Sequence, residues 1–129
     1  MPENYSSRKV VVLGVGTGGC RIAAELAQTP SAAKLDIALI DTDEKALECY
    51  PEFKTVLIGS DWADKQGCGC DMARGSKAAS SSTQELKKLI KNCELLIVIS
   101  PLGGGTGSGA VPVIANIARN LKVLSLFLV

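Results

Sequence analysis

A chain of 129 residues fits one domain and can bury a real hydrophobic core. Apolar residues make up 47% of it and aromatic residues only 4%, so the core must be aliphatic. The formal net charge of +1 excludes the strongly basic surface that nucleic acids or acidic membranes attract, and the longest apolar run, Val123 to Val129, is far too short to span a bilayer. We therefore expect no nucleic-acid partner and no direct membrane insertion.

The five cysteines are an odd number, and the polar residues Met1 to Lys9 do not resemble a signal peptide. Free thiols in a reducing compartment are the simple interpretation, and we predict a cytoplasmic protein. Cys68 and Cys70 with Cys20 would form only a weak candidate for a metal or redox cluster, because no second cysteine pair and no histidine accompanies them.

The first predicted unit is a strand, a glycine loop and a helix. Residues Lys9 to Gly14 are β-branched and apolar on both faces, which is typical of a central parallel strand. The loop Gly14-Val15-Gly16-Thr17-Gly18-Gly19 follows at once. The helix after this loop, which Pro30 ends, has an apolar face formed by Ile22, Ala23, Leu26 and Ala27.

Two shorter strands follow in the sequence. Asp36 to Ile40 is the second predicted strand, and it leads into Asp41-Thr42-Asp43 and one or two helical turns. Thr55 to Ile58 is the third predicted strand, and Gly59 to Gly75 is irregular. A helix then covers part of Ser76 to Lys91. A capping box of Ser82 and Glu85 lies near its start, and a basic, solvated face is formed by Lys87, Lys88 and Lys91.

The most informative stretch lies between the fourth predicted strand, Leu95 to Ile99, and a helix predicted over Ala110 to Leu121, with Pro112 in its first turn. It is the sequence Gly103-Gly104-Gly105-Thr106-Gly107-Ser108-Gly109, with five glycines in seven residues. Glycines let several backbone N–H groups point at one ligand, and the N-terminus of the following helix favours an anion. This pattern predicts a phosphate cradle rather than a flexible linker.

Strands that alternate with helices predict an α/β fold in a single domain over residues 1–129. We expect a Rossmann-like parallel sheet of about five strands in the order 3-2-1-4-5, flanked by helices. Both glycine loops would then face one ligand. The fifth predicted strand, Val123 to Val129, is an apolar strand at the edge of the sheet, so we expect either the front part of a longer protein or an oligomer that buries this edge.

Gly14-x-Gly16-x-x-Gly19 between a strand and a helix also matches a dinucleotide fingerprint, in which Asp41 would bind a ribose. A Walker A loop is excluded because Cys20-Arg21 follows Gly19 in place of lysine and serine or threonine. The second cradle at Gly103 to Gly109 is a feature that a dinucleotide domain does not need.

The stretch from Gly103 to Gly109 resembles the signature loop of the tubulin/FtsZ family of GTP-binding cytoskeletal proteins. Asp41-Thr42-Asp43 is similar to the Asn-Thr-Asp loop of that family, and Gly67-Cys68-Gly69-Cys70-Asp71 is similar to its γ-phosphate loop. The similarity covers Lys9 to Val129. It implies a tubulin-type nucleotide-binding domain that binds GTP or GDP with Mg²⁺, in a GTPase that polymerises head-to-tail into filaments.

The resemblance implies a role for each matching residue. Contacts with the α- and β-phosphates are implied for Gly16, Thr17, Gly18, Gly19, Gly103, Gly104, Gly105, Thr106 and Gly107. Asp43 would lie near a phosphate-bound Mg²⁺, through water. The γ-phosphate would be bound by backbone N–H groups of Cys68, Gly69 and Cys70. The nucleotide-binding set is completed by Cys20, Arg21 and Asp41.

Three departures from the family pattern affect these expectations. Arg21 stands where the family typically has asparagine near the nucleotide, and Asp41 replaces the asparagine of the second loop. In the third loop, Cys68 and Cys70 replace small residues. A carboxylate near phosphates is repulsive unless a metal intervenes. The guanine-reading helix and the acidic catalytic loop of the family would lie beyond Val129, so we assign no catalytic residue and expect the C-terminal domain of the family to be absent. A Rossmann-type NAD-binding protein and a nucleotide-free assembly module stay open as alternatives.

Overall fold

The computed structural model describes residues 9–58, 82–101 and 105–129, and the side chains of residues 105–108 lie outside this description. The described strands are β1 (Val10–Val15), β2 (Leu35–Asp41), β3 (Lys54–Leu57), β4 (Leu95–Ile99) and β5 (Leu124–Leu128). The described helices are α1 (Gly16–Leu26), α2 (Glu44–Glu48), α3 (Thr83–Ile90) and α4 (Gly105–Asn120), with a 3-10 helix at Pro30–Lys34. No described helix has both the length and the apolarity that crossing a membrane requires.

The five strands form one parallel sheet in the order β3-β2-β1-β4-β5, which confirms the predicted architecture. Val12 of β1 lies between Ile37 of β2 and Ile97 of β4, so β1 is the central strand. Its apolar residues are buried on both faces, as expected for a parallel strand with helices on either side.

Each face of the sheet has its own core, because the side chains of a strand alternate between the two faces. One core packs α3 and α4 against the strands through residues that include Leu13, Leu86, Ile90, Val98 and Ile114. The other packs α1 and α2 against the opposite face through Val12, Cys20, Ala23, Leu39, Leu47 and Ile99. The aliphatic core expected from the composition is therefore divided between two layers of helices.

Two glycines allow α1 to lie unusually close to the sheet. A Cβ atom at Gly19 would lie 2.3 Å from the carbonyl oxygen of Ile99, and one at Gly14 would lie 2.7 Å from the Cβ of Ala23. Real Cβ atoms do not approach other atoms so closely, and the obstacle at Gly19 is backbone that cannot turn aside. The first helix therefore depends on glycine at both positions.

Both helices that follow a glycine-rich sequence begin earlier than predicted. Helix α1 begins at Gly16, inside the predicted first loop, and α4 begins at Gly105, five residues before the predicted Ala110. Pro112 consequently lies inside α4 and not in its first turn, which corrects the prediction. Glycine is a poor helix former, so a prediction from helix propensity starts each helix after its glycines. In the folded protein, tertiary packing and short connections place the helix starts earlier.

Smaller differences concern the ends of other elements. Ser82 is the N-cap of α3 as the capping box predicts, but its side chain makes no capping hydrogen bond. The 3-10 helix that begins at Pro30 was not predicted. The helix predicted within Ser76 to Lys91 begins at Thr83, whereas Gly59 to Gly75 and residues 76–81 lie outside the described residues.

We expect Gly19→Ala to lower the free energy of unfolding by about 1–3 kcal/mol, because the added methyl group overlaps the Ile99 carbonyl oxygen. Gly18→Ala is the matched control, since its Cβ would meet Pro101 at 3.4 Å, an ordinary contact distance. Urea denaturation of both variants measures the difference. Equal stabilities would show that α1 does not need this close approach.

Candidate functional site

The candidate site lies at the carboxyl edge of the sheet, where two neighbouring strands lead to helices on opposite faces. Gly14 of β1 is paired with Ile99 of β4, and these strands continue into α1 and towards α4. The sheet extends to β2 and β3 on one side of this pair and to β5 on the other. Such a switch point is where open parallel sheets bind ligands.

The N-terminus of α1 has free backbone donors and no negative charge in its first turn. Gly16 has a φ of 79°, a left-handed conformation that glycine adopts without strain, and it turns the chain directly from strand to helix. No side chain caps the helix at Val15, and the first turn has no acidic residue. Because helical bonding begins only at the fourth residue, the N–H groups of Gly16, Thr17 and Gly18 have no partner within the helix.

The six residues predicted around this N-terminus have different surroundings. Thr17 and Gly18 are exposed at the edge, and Arg21 is exposed further along α1, whereas Gly16 and Gly19 are buried. The close contact between Gly19 and Ile99 gives this glycine a packing role as well. The contacts predicted between these residues and a nucleotide stay predictions.

Cys20 is placed inside the protein. Its thiol lies 3.4 Å from the carbonyl oxygen of Gly14 and 3.5 Å from that of Ile40, and the residue is 2% exposed. Burial, together with the nearby carboxylate of Asp41, raises the pKa of the Cys20 thiol to about 12. This side chain is therefore a protonated, unreactive part of the core, and the predicted ligand contact of Cys20 remains a prediction for its backbone.

Asp41 organises the turn after β2. Its Oδ1 accepts a hydrogen bond from the backbone N–H of Thr42 at 2.7 Å and a longer one from that of Asp43 at 3.4 Å. Its Oδ2 accepts a bond from the hydroxyl of Thr17 at 3.4 Å, which joins this turn to the start of α1. The residue is only 2% exposed, and burial is the main reason that the pKa of Asp41 is raised. The structure thus brings Asp41 and Thr17 together at one site.

Asp43 is the N-cap of α2. Its Oδ1 accepts hydrogen bonds from the backbone N–H groups of Lys45 at 3.0 Å and Ala46 at 3.3 Å. This arrangement is a standard cap for a short helix and explains why an aspartate stands here. Its predicted place near Mg²⁺, through water, stays a prediction.

The remaining predicted residues belong to two other segments. Cys68, Gly69, Cys70, Gly103 and Gly104 lie outside the described residues. Gly105, Thr106 and Gly107 form the first turn of α4, so this part of the predicted cradle is a helix N-terminus and not only a loop. Among the described residues, no group of three or more histidine, cysteine or acidic side chains could hold a metal ion.

Two residues at the end of β4 were not predicted as part of the site. Pro101 lies close to Gly18 of α1, because a Cβ atom added at Gly18 would lie 3.4 Å from the Pro101 side chain. Ser100 is fully buried, and its hydroxyl has no hydrogen-bond partner among the residues that the structure describes, while its backbone N–H donates to the carbonyl oxygen of Leu128 of β5. A polar residue directly after an apolar strand was the sequence signal that could have identified Ser100.

Comparison with known proteins gives a consistent result. A sequence model described as "Tubulin/FtsZ family, GTPase domain" matches residues 9–129. The cell division protein FtsZ of Helicobacter pylori is 34% identical over 125 residues, which cover 97% of this chain and 32% of that protein. FtsZ 1 of Pyrococcus furiosus is 33% identical over 121 residues, with 94% and 32% covered. The chain thus spans about a third of the length of these relatives.

Solved structures agree in fold. An empty FtsZ dimer from M. jannaschii matches with a TM-score of 0.84 and 26% identity, over 98% of this chain and 40% of that one. CetZ2 from Haloferax volcanii, a GTPγS-bound protofilament, matches with a TM-score of 0.77 and 29% identity, over 92% and 38%. Because the family match covers residues 9–129 and these structures share the fold, this chain belongs to the tubulin/FtsZ family.

Proposed function

We propose that this domain binds GTP and GDP at the carboxyl edge of its sheet. The observation that carries the proposal is the uncapped N-terminus of α1, which begins at the same switch point as the strand that leads to α4. Two helix N-termini at one edge provide backbone donors for a chain of phosphates. The family match and the GTPγS-bound relative support guanine nucleotides as the ligand.

The surroundings of Asp41 favour GTP over NAD. In a dinucleotide domain this carboxylate would reach out to a ribose. Here it is 2% exposed, and both of its oxygens accept hydrogen bonds from this chain. The Asp41 carboxylate therefore stabilises the turn after β2. A protein that binds NAD remains the second candidate only because its glycine fingerprint is intact.

Mg²⁺ belongs to the same proposal. Asp43 follows the turn that Asp41 joins to the start of α1, and its carboxylate oxygens suit a hard cation that retains part of its water shell. When bound, the ion would neutralise part of the phosphate charge and so reduce repulsion by Asp41. Thr17 and the backbone around Gly18 would orient the phosphates, and the Pro101 contact would hold that backbone in place.

The whole protein is proposed to hydrolyse GTP and to polymerise head-to-tail. The residues predicted to bind the phosphates would position the nucleotide, and the acidic groups that activate water would come from the neighbouring subunit. Relatives solved as a dimer and as a protofilament support self-association. We further propose a cytoplasmic location, which the free thiols of Cys20, Cys49 and Cys93 support.

Calorimetric titration of the chain with GTP, GDP and NAD, with and without Mg²⁺, tests the ligand. We expect binding of both guanine nucleotides, strengthened by Mg²⁺, and loss of that binding in Gly105→Val, where a side chain is added at the start of α4. Asn116→Val is the matched control, because it adds the same side chain at an exposed position of the same helix. Binding of NAD alone, or unchanged nucleotide affinity in Gly105→Val, would contradict the proposal.

Asp41→Asn tests the buried carboxylate. Asparagine keeps an oxygen for the backbone bonds to Thr42 and Asp43 but removes the charge, so we expect several-fold tighter GDP binding without Mg²⁺ at neutral pH. Because the pKa of Asp41 is raised, this side chain becomes protonated and neutral at a higher pH than an ordinary aspartate. Lowering the pH should therefore reduce the difference in GDP affinity between the parent chain and the variant. Calorimetry across pH measures both effects. Weaker binding by the variant would show instead that Asp41 is a ligand of the nucleotide or its metal.

Leu126→Lys tests association through the edge strand. Leu124, Leu126 and Leu128 form one row on β5 and are 71%, 51% and 49% exposed. If the row is an interface, removing a leucine that contributes about 1.5–3 kcal/mol should weaken association at least about tenfold. Sedimentation equilibrium measures this, with Gln84→Lys, exposed on α3, as the control of equal charge. A monomeric parent chain, or equal association of the two variants, would exclude self-association through β5. Head-to-tail contact would then be the proposed mode of assembly.

A further inference from the structure

A second cavity lies at the opposite edge of the sheet from the nucleotide site. It has a volume of about 370 Å³, and its lining includes Lys9, Asp36, Ile37, Lys54, Lys88 and Leu89. Lys9 directly precedes β1, and Lys54 is the first residue of β3, so the cavity opens at the amino ends of the strands. Gly16 is seven residues from Lys9 along an extended strand, which separates the two sites by about 20 Å.

The charges around this cavity are unbalanced. Three lysines and one aspartate line it, which leaves a formal charge of +2. Lys9 is half-buried, and Lys54 and Lys88 are exposed. Like charges that converge on a concave surface favour an anion between them.

Local structure does not explain this convergence. Lys88 lies in the last turn of α3, where a positive charge is favourable to the helix dipole. Lys9 and Lys54 come from two different strands and serve no helix end. Val11 and Leu89, which belong to the core on the α3 side of the sheet, also line the cavity and give a ligand some carbon surface to contact.

We propose that this cavity binds a small organic anion with at least two negative charges, carried on phosphate or carboxylate groups. Lys9, Lys54 and Lys88 bind the charged groups, and Val11 and Leu89 contact the carbon skeleton. Asp36 disfavours ligands with a single charge, because one anionic group would be offset by its carboxylate. The site is independent of the nucleotide at the carboxyl edge, and the two ligands bind together.

Amide chemical shifts from ¹⁵N-labelled chain test the proposal, with inorganic pyrophosphate and citrate as probes. Pyrophosphate stands for phosphate ligands and citrate for carboxylate ligands. We expect at least one probe to cause saturable shifts at the amides of Ile37, Ala38 and Leu89. Pyrophosphate binding at the proposed nucleotide site would shift the amide of Gly18, which lies beyond the other end of β1. The experiment therefore tests binding at each of the two sites separately. No saturable shift at the cavity amides with either probe would overturn the proposal.

Matched variants separate a built site from general charge attraction. We expect Lys54→Ala with Lys88→Ala to weaken probe binding at the cavity at least about tenfold. Lys87→Ala with Lys91→Ala removes the same charge from α3 outside the cavity lining and should leave binding unchanged. Asp36→Asn should tighten binding, whereas Glu52→Gln, an equal charge change outside the cavity lining, should not. Equal effects within either pair would refute a specific site. Thermal denaturation checks that every variant is folded.

Discussion

The contact between α1 and β4 at Gly19 and Ile99 is the constraint on which the rest of the structure depends. It permits no side chain at Gly19, and it fixes the height of α1 above the sheet. At that height Cys20 and Ala23 fill the core on this face. The same contact sets the uncapped start of α1 at the switch point between β1 and β4, beside Pro101. The packing of α1 on the sheet and the proposed nucleotide site therefore depend on the same glycines.

Asp41 adds a second constraint at this edge, and it has an energetic cost. A carboxylate that is 2% exposed loses most of its hydration, and this loss raises the pKa of Asp41. The hydrogen bonds that it accepts from the backbone N–H groups of Thr42 and Asp43 and from the hydroxyl of Thr17 recover part of the lost free energy. The residue holds two loops together and adds negative charge beside the proposed phosphates. Buried groups with a perturbed pKa often mark functional sites, and this one lies at the edge where we propose that the nucleotide binds.

The two edges of the sheet have opposite characters. The carboxyl edge offers backbone N–H groups from helix N-termini, and the amino edge offers lysine side chains around a cavity. Along the side of the sheet, β5 leaves Leu124, Leu126 and Leu128 exposed while Phe127 packs into the core. These surfaces lie on separate parts of one domain, so a nucleotide, a small anion and a protein partner would not compete for space.

Much of the fold could be predicted from sequence because its signals are local. Five apolar runs, among them those around Val12, Leu39 and Val98, predicted five parallel strands, and the glycine loops after the first and fourth strands indicated their order. The glycine pattern also pointed to the edge that carries the site and to the family. The tertiary structure alone decided where α1 and α4 begin, because glycines disfavour helix locally and only packing against the sheet overrides that preference. It alone turned the thiol of Cys20 into the core and buried Asp41, since burial depends on what other segments cover a residue. The meeting of Lys9, Lys54 and Lys88 was decided in the same way, because residues far apart in sequence become neighbours only when the sheet forms.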